Sequence, residues 1–418
     1  MNETNSHTFH IPVMGLGFTI DTPLKVARFG ISSALSLADD HLMEQMREFY
    51  AEEYGHPFSP ISPKSDDYRA RRITAYLNLV HDIVSQQVEQ LRSDTFEADS
   101  ELTRYFELLP EGSPIKRSYL AMCASNDEKQ ESLAAGLRQA VTAGAIDVNI
   151  MTKVDKTNYA PDGTPLPPEY SDASAALRGF ALSNLRSSVI LSAGLNPRLY
   201  GYFEKFDDFF PDGDGRLAKR IILKVSDYRS ALIQGKLLAK KGLWVSEFRI
   251  ESGLNCGGHA FVRDGVLLGP IMEAFKTQRE VLYAELKSLC DAALAGKGRQ
   301  GLGADPVQRI TVQGGIGTVG EDRFLRDYYQ LDGTGHNDTY LNVNAPFPNP
   351  DAIQEFNLES TNFTAEYGNA GGGIVNIVTR SGTNDIHGSL FEFLRHGKLN
   401  ARNYFASTRD TLKRNQYG

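Results

Sequence analysis

Long apolar runs, paired cysteines and excess positive charge are all missing from this chain of 418 residues. No stretch of about 18 apolar residues occurs, so no membrane-spanning helix is expected. The three cysteines, Cys123, Cys256 and Cys290, are odd in number, far apart and without a CxxC pair. That disfavours a disulfide framework or a structural zinc site and suits a reducing cytosol. Acidic side chains outnumber basic ones, 52 to 44, giving a formal charge of −8. Such a chain has no broad electrostatic claim on nucleic acid or on an anionic membrane, and neither is expected as a partner. Met1–His10 is polar and lacks the apolar core of a secretory signal, so a cytoplasmic location is expected. The balance of 41% hydrophobic and 23% charged residues is that of a globular protein, which excludes collagen-like, coiled-coil and wholly disordered classes.

What is present falls into two parts with a seam near residue 335. Residues 1–335 contain nine Asn, whereas the 83 residues 336–418 contain twelve and only two lysines, Lys398 and Lys413. Before the seam, β-prone runs alternate with amphipathic helices. After it come short segments rich in Asn, Gly and Thr with no long helical pattern. The sequence therefore reads as a domain over 1–335, with a long insertion at about 39–145, followed by an unrelated piece over 336–418.

In the first part the β-prone runs are Ile11–Phe18, Ile31–Leu37, Asp147–Val154, Ser188–Leu195, Arg220–Ser226, Trp244–Ile250 and Arg309–Gln313. Several are nearly continuous apolar runs, as expected for parallel strands covered on both faces. Helical stripes lie between them; the clearest is Ile73, Tyr76, Leu77, Val80, Ile83, Val84, Val88 and Leu91. Seven strand–helix units and the stub of an eighth at Leu331–Gly335 predict an α/β fold, a (β/α)₈ TIM barrel truncated at strand eight. An open doubly wound sheet is the competing architecture.

Function in such a barrel sits at the carboxyl ends of the strands. Strand one ends in Met14-Gly15-Leu16-Gly17, strand three carries Asn149, and strand five carries Lys224-Val225-Ser226-Asp227. Strand six runs into Glu251-Ser252-Gly253-Leu254-Asn255-Cys256-Gly257-Gly258-His259, and strand seven into Gln313-Gly314-Gly315-Ile316-Gly317-Thr318. The strand-seven loop suits an oxyanion, because glycines let backbone N–H groups approach it and the next helix adds its positive end. It equally suits a tight strand-to-helix turn. His259 is a candidate proton donor or base, or a solvated rim residue. Asn149 can bond a planar heterocycle or serve a turn. Lys224 can neutralise a ligand anion or belong to an ion pair at the barrel mouth. Cys256 reads as a reactive thiol or, more simply, a small buried side chain.

Taken in order, Met-Gly, Val-Asn-Ile, Lys-Val-Ser, Glu-Ser-Gly followed by Gly-Gly-His, and Gly-Gly-Ile-Gly-Thr resemble the FMN-dependent barrels of the nitronate monooxygenase and enoyl-reductase-like group. The resemblance covers roughly residues 11–335. It implies an oxidoreductase of a small-molecule substrate with FMN as cofactor and His259 as catalytic base or donor. It places flavin contacts at Met14, Gly15, Asn149, Lys224, Gly257 and Gly258, and the phosphate at Gly314, Gly315 and Gly317; no metal is implied. The long insertion, Leu254-Asn255-Cys256 before the Gly-Gly-His turn, and a strand eight that breaks off at Gly335 depart from the group's pattern. Loss of strand eight would impair activity.

The second part contains Ala365-Glu366-Tyr367-Gly368, Gly372-Gly373-Ile374-Val375-Asn376 and Thr379-Arg380-Ser381-Gly382-Thr383-Asn384. A hairpin is expected between Gly371–Asn376 and Ile386–Leu394, turning at Gly382-Thr383-Asn384. In that order the motifs resemble the end of the plug and first barrel strands of TonB-dependent outer-membrane receptors of the large Oar-like kind, whose parent would lie in the outer membrane. Asp332-Gly333-Thr334-Gly335 fits both texts, which suggests a chimera. Three functions follow: a flavin-dependent oxidoreductase, a receptor fragment, and a non-enzymatic barrel binding a phosphorylated ligand.

Overall fold

The computed structural model describes residues 7, 9–13, 19–37, 39–125, 127–150, 155–160, 162–191, 194–251, 268–314, 316 and 319–335, and then the strands 353–359, 374–379, 392–396 and 413–417. These fall into two compact units, one holding everything described up to Gly335 and the other the four later strands.

The larger unit is a closed barrel of eight parallel strands in sequential order. They are β1 (Phe9–Ile11), β2 (Ser32–Ser36), β3 (Ile146–Ile150), β4 (Ser188–Leu191), β5 (Arg220–Val225), β6 (Val245–Glu251), β7 (Arg309–Gln313) and β8 (Gly333–Gly335). A closed ring of this order excludes the doubly wound alternative. Strand one was expected at Ile11–Phe18 but forms at Phe9–Ile11; of the residues beyond it, 14–18 lie outside the described set. The stub expected at Leu331–Gly335 supplies strand eight and leaves no gap in the ring: Val312 pairs with Thr334 and Gln313 with Gly335 on one side, and Phe9 pairs with Thr334 and His10 with Gly335 on the other. Any helix after it would fall beyond the described barrel residues.

Two anchors compensate for so short a strand. The Asp332 amide donates to the Ile310 carbonyl (2.9 Å), and the Asp332 carboxylate accepts from the Ile310 amide (2.7 Å) and from Arg279 (2.6 Å). On the outer side the Thr334 hydroxyl donates to Asp322.

Between the strands lie α1 (Thr22–Val26), α7 (Asp172–Ala181), α8 (Pro197–Tyr202), α9 (Tyr228–Ala239), α10 (Leu268–Gly296) and α11 (Val319–Tyr329). The long stretch between β2 and β3 holds five helices: α2 (Asp40–Glu53), α3 (Tyr68–Ser93), α4 (Glu101–Glu107), α5 (Pro114–Cys123) and α6 (Asp127–Ala140). Side-chain caps set the starts of α2, α4, α5 and α9. Asp39 accepts from the His41 amide, Ser100 from Thr103, Ser113 from Lys116 and Asp227 from Ser230, each satisfying an amide that the first turn leaves open.

Helix α3, 26 residues and about 39 Å long at 1.5 Å per residue, buries the whole predicted stripe from Ile73 to Leu91. Its first half joins the barrel core with Leu177 and Phe180 of α7. Its last turns, Val88 and Leu91, join a second core with Phe29, Tyr105, Phe106 and Tyr119. The insertion is thus packed onto the barrel through one continuous helix. Gly144, just before β3, is required by close approach: a Cβ there would lie 2.1 Å from the Ile31 carbonyl oxygen.

In the smaller unit β9 (Ile353–Glu359) pairs antiparallel with β10 (Ile374–Thr379), and β11 (Glu392–His396) with β12 (Lys413–Tyr417). The expected pairing of the Gly371–Asn376 and Ile386–Leu394 stretches is replaced by these two. The run Ile353-Gln354-Glu355-Phe356-Asn357-Leu358-Glu359 supplies a β-prone partner, and a local turn signal does not decide which strand a neighbour chooses.

Leu77 is fully buried midway along α3. Leu77→Ala is expected to lower unfolding free energy by about 2–5 kcal/mol through a cavity the helix contact cannot close. Urea denaturation followed by tryptophan fluorescence checks this; a loss below about 1 kcal/mol would show that α3 is not the link between the two cores.

Candidate active site

Side chains alternate across each strand, so every second residue faces the barrel lumen. Ala34, Ile190 and Ile222 form a small apolar cluster of their own, joined by Val13. The outward residues, such as Leu35, Val148, Leu223, Phe248 and Val312, belong to the main core beneath the helices. One step from the apolar lumen cluster, toward the carboxyl ends, come polar residues: Ser36, Asn149, Lys224, Glu251 and Gln313, all buried.

Lys224 Nζ lies 3.3 Å from Glu251 Oε1, and Gln313 Nε2 donates to the same oxygen at 3.2 Å. The Lys224 and Glu251 side chains are 10% and 5% exposed. Of the two roles open to Lys224, the barrel-mouth ion pair is the one formed. Asn149 is 1% exposed, sits beside Ser36 and Ile190 in register, and its Oδ1 has no hydrogen-bond partner. The neighbouring Ser36 hydroxyl is likewise unpartnered. Among the described residues neither atom finds a partner, and a buried acceptor left without a donor costs about 1–3 kcal/mol.

Gly314, directly after β7, takes φ +100°, a left-handed conformation that favours glycine. That supports a sharp strand-to-helix turn and brings the chain to α11. The first turn of α11 carries Glu321 and Asp322, whose charge opposes an anion there; Asp322 is offset by Arg326 at 3.0 Å. Asn149, Lys224 and Gly314 therefore lie at the carboxyl ends of β3, β5 and β7 of one barrel. Met14, Gly15, Gly257, Gly258, His259, Gly315 and Gly317, with Cys256, lie outside the described residues.

Sequence reasoning missed Glu251 and Gln313 as partners of Lys224. It also missed a charged group at the opposite mouth, formed by Asp147, Arg220, Glu247, Arg249 and Arg309. The signal was there in the two-residue spacing Glu247, Arg249, Glu251 and Arg309, Thr311, Gln313. Elsewhere, Cys290 is buried, and burial together with Asp291 pushes its thiol up to about 12, so it is inert at neutral pH. No described helix is long and apolar enough to cross a membrane.

Comparison with known proteins gives information on the second unit. A family described as an outer membrane beta barrel domain matches residues 378–418. Over 71 residues, 17% of the chain, the sequence is 40% identical to the TonB-dependent transporter Oar of Myxococcus xanthus. The matched stretch covers 7% of that transporter's length.

Removing Lys224 would leave Glu251 buried without a counter-charge. Lys224→Met is expected to destabilise the barrel by about 3–5 kcal/mol, and the double variant Lys224→Met/Glu251→Gln to recover most of it. Thermal and urea unfolding of the four-protein cycle measures the coupling; additive losses would mean that the two groups do not act as a pair.

Proposed function

We propose that the chain joins pieces of two different proteins, and that the part after the barrel is a segment of a TonB-dependent outer-membrane receptor. The observation that carries this is the 40% identity to a TonB-dependent transporter over 71 residues. The outer membrane barrel match at residues 378–418 supports it, and so does the antiparallel pairing of β9 with β10 and of β11 with β12, the strand arrangement of outer-membrane barrels. The strands described after the barrel form two separate two-stranded sheets, which by themselves do not close a ring, and lipid does not tolerate open strand edges. The chain is therefore expected in the soluble fraction of expressing cells. Recovery in the outer-membrane fraction after carbonate or urea washing would overturn that expectation.

A second reading concerns the barrel: a flavin-dependent oxidoreductase acting on a small molecule, with FMN as cofactor. The unpartnered Asn149 Oδ1 at the carboxyl end of β3 favours it. This acceptor would take a ring N–H of the flavin, and Gly314 with Gly315 and Gly317 would seat the phosphate. Lys224, held by Glu251, would set the charge beside the ring. Bound FMN would supply electron transfer that side chains lack. His259 would move a proton to or from the substrate. The acidic first turn of α11 and the three-residue β8 make for a weak phosphate seat, so the cofactor is expected to be lost easily on purification.

Titration of the purified chain with FMN, read by quenching of flavin fluorescence, tests this. Asn149→Leu is expected to weaken binding about 10-fold, equivalent to about 1.4 kcal/mol. His259→Gln should leave binding intact and lower turnover about 10²–10⁴-fold. FMN binding unaffected by Asn149→Leu would remove the observation on which the flavin reading rests. Binding of simple phosphate esters with no binding of FMN would favour a non-enzymatic phosphate-ligand barrel.

A further inference from the structure

The amino-terminal mouth of the barrel, opposite the end just described, encloses a cavity of about 270 Å³. Its wall is built from the first residues of the strands: Asp147 on β3, Arg220 on β5, Glu247 and Arg249 on β6, and Arg309 on β7, with His7 from the chain before β1. Barrels normally fill their interior with packed side chains, and this end serves stability. A void walled by eight ionisable groups, His10 and Asp332 among them, does the opposite, because each charge removed from water needs compensation.

The partners can be followed. Glu247 Oε1 accepts from Arg249 Nε at 2.8 Å and from the Thr311 hydroxyl at 2.7 Å. Asp147 accepts from the Ser188 amide at 2.9 Å. Arg220 and Arg309 have further contacts of their own, so what an incoming ligand meets is the summed charge. Three guanidinium groups stand against the carboxyls of Asp147, Glu247 and Asp332. Burial first, with Glu247 adding to it and Arg249 opposing, raises the affinity of Asp147 for its proton. Asp332 is already held by Arg279 from outside the wall at 2.6 Å, which leaves three guanidinium groups to two carboxyls at the cavity.

His7 adds an acceptor. It is 4% exposed, its Nε2 lies 3.2 Å from the Phe29 carbonyl oxygen, and its Nδ1 has no partner among the described residues. A carbonyl accepts only, so Nε2 carries the hydrogen and Nδ1 the lone pair. Burial lowers the affinity of the ring for a second proton, which keeps Nδ1 available as an acceptor. At ~30 Å³ per water, the cavity holds an anion the size of phosphate together with several waters.

We propose that this amino-terminal mouth is a binding site for a small oxyanion, a carboxylate or a phosphate, held among Arg220, Arg249 and Arg309, with His7 Nδ1 accepting from a protonated ligand oxygen. The site is separate from the proposed flavin end and does not depend on it.

The test titrates inorganic phosphate and malonate separately into the full chain at about 0.15 M salt, followed by calorimetry and thermal unfolding. Arg220→Gln and Arg309→Gln remove cation, and Ser246→Leu fills the cavity from its wall. At least one anion is expected to bind the unmodified protein and raise its melting temperature. Affinity should fall about 10-fold in either arginine variant and be lost in Ser246→Leu. Phosphate alone binding identifies a phosphate site, and malonate alone a carboxylate site. FMN should not compete. Far-UV circular dichroism reports folding of each variant, and a folded Ser246→Leu protein suffices should the arginine variants fail. The proposal is overturned if neither anion binds, if the folded variants bind as the unmodified protein does, or if FMN displaces the anion, which would place it at the opposite end.

Discussion

Closure of the ring at Gly333–Gly335 is the constraint on which the rest of the barrel depends. Parallel strands have no short-range turn to hold them, and an unpaired edge is both unstable and sticky. Here three residues saturate both neighbours at once. A strand of this length contributes few backbone hydrogen bonds, so side chains fix it at each end: Asp332 on the Ile310 backbone and Arg279, Thr334 on Asp322 of α11. Glycine at 333 and 335 leaves the lumen beside it open, whereas a larger side chain would fill it. Closure thereby creates an interior with two separate polar ends.

Those two ends differ in how their charge is balanced. At the carboxyl end Lys224, Glu251 and Gln313 share one carboxylate oxygen, and Asn149 beside them is left with an unused acceptor. At the amino end three arginines and three carboxyls surround a void, and one of those carboxyls, Asp332, is held by Arg279 from outside it. Between them Ala34, Ile190 and Ile222 form an apolar floor with Val13. Such a floor limits water and lowers the local dielectric on either side, which strengthens each polar contact and raises the cost of any left unmade.

Much of the barrel was legible because its outer faces obey simple periodicities. The stripe of α3 and the apolar runs of β3 to β7 report burial beneath helices, and both appear where the sequence places them. The lumen was less legible for a physical reason. Its side chains alternate with core residues at a spacing of two, so Glu247, Arg249 and Glu251 look like interruptions of a hydrophobic strand when they are its second face. Strand eight was read as a stub breaking off at Gly335, and closure by it was not legible because Asp332 and Thr334 fix it through side-chain partners distant in sequence. Lys224 was correctly singled out, yet its partner lies 27 residues later on the neighbouring strand, a distance no local pattern reveals. In the smaller unit the turn signal at Gly382-Thr383-Asn384 was local, while β10 pairs with a strand earlier in the chain.

The two units also obey opposite rules of strand pairing, and this bears on the seam. Every barrel strand is parallel to both neighbours, and each strand's hydrogen-bonding needs are met within residues 9–335. Among the described residues the four later strands pair with one another, and antiparallel. Parallel β/α barrels require a crossover between successive strands, whereas outer-membrane barrels are made of antiparallel hairpins. A single evolving domain has no reason to change from one rule to the other between Gly335 and Ile353. Asp332-Gly333-Thr334-Gly335 meets the needs of the first unit fully: an anchor, two lumen-facing glycines and an outward hydroxyl. The barrel thus reaches closure at Gly335, and none of the later described strands is needed for it.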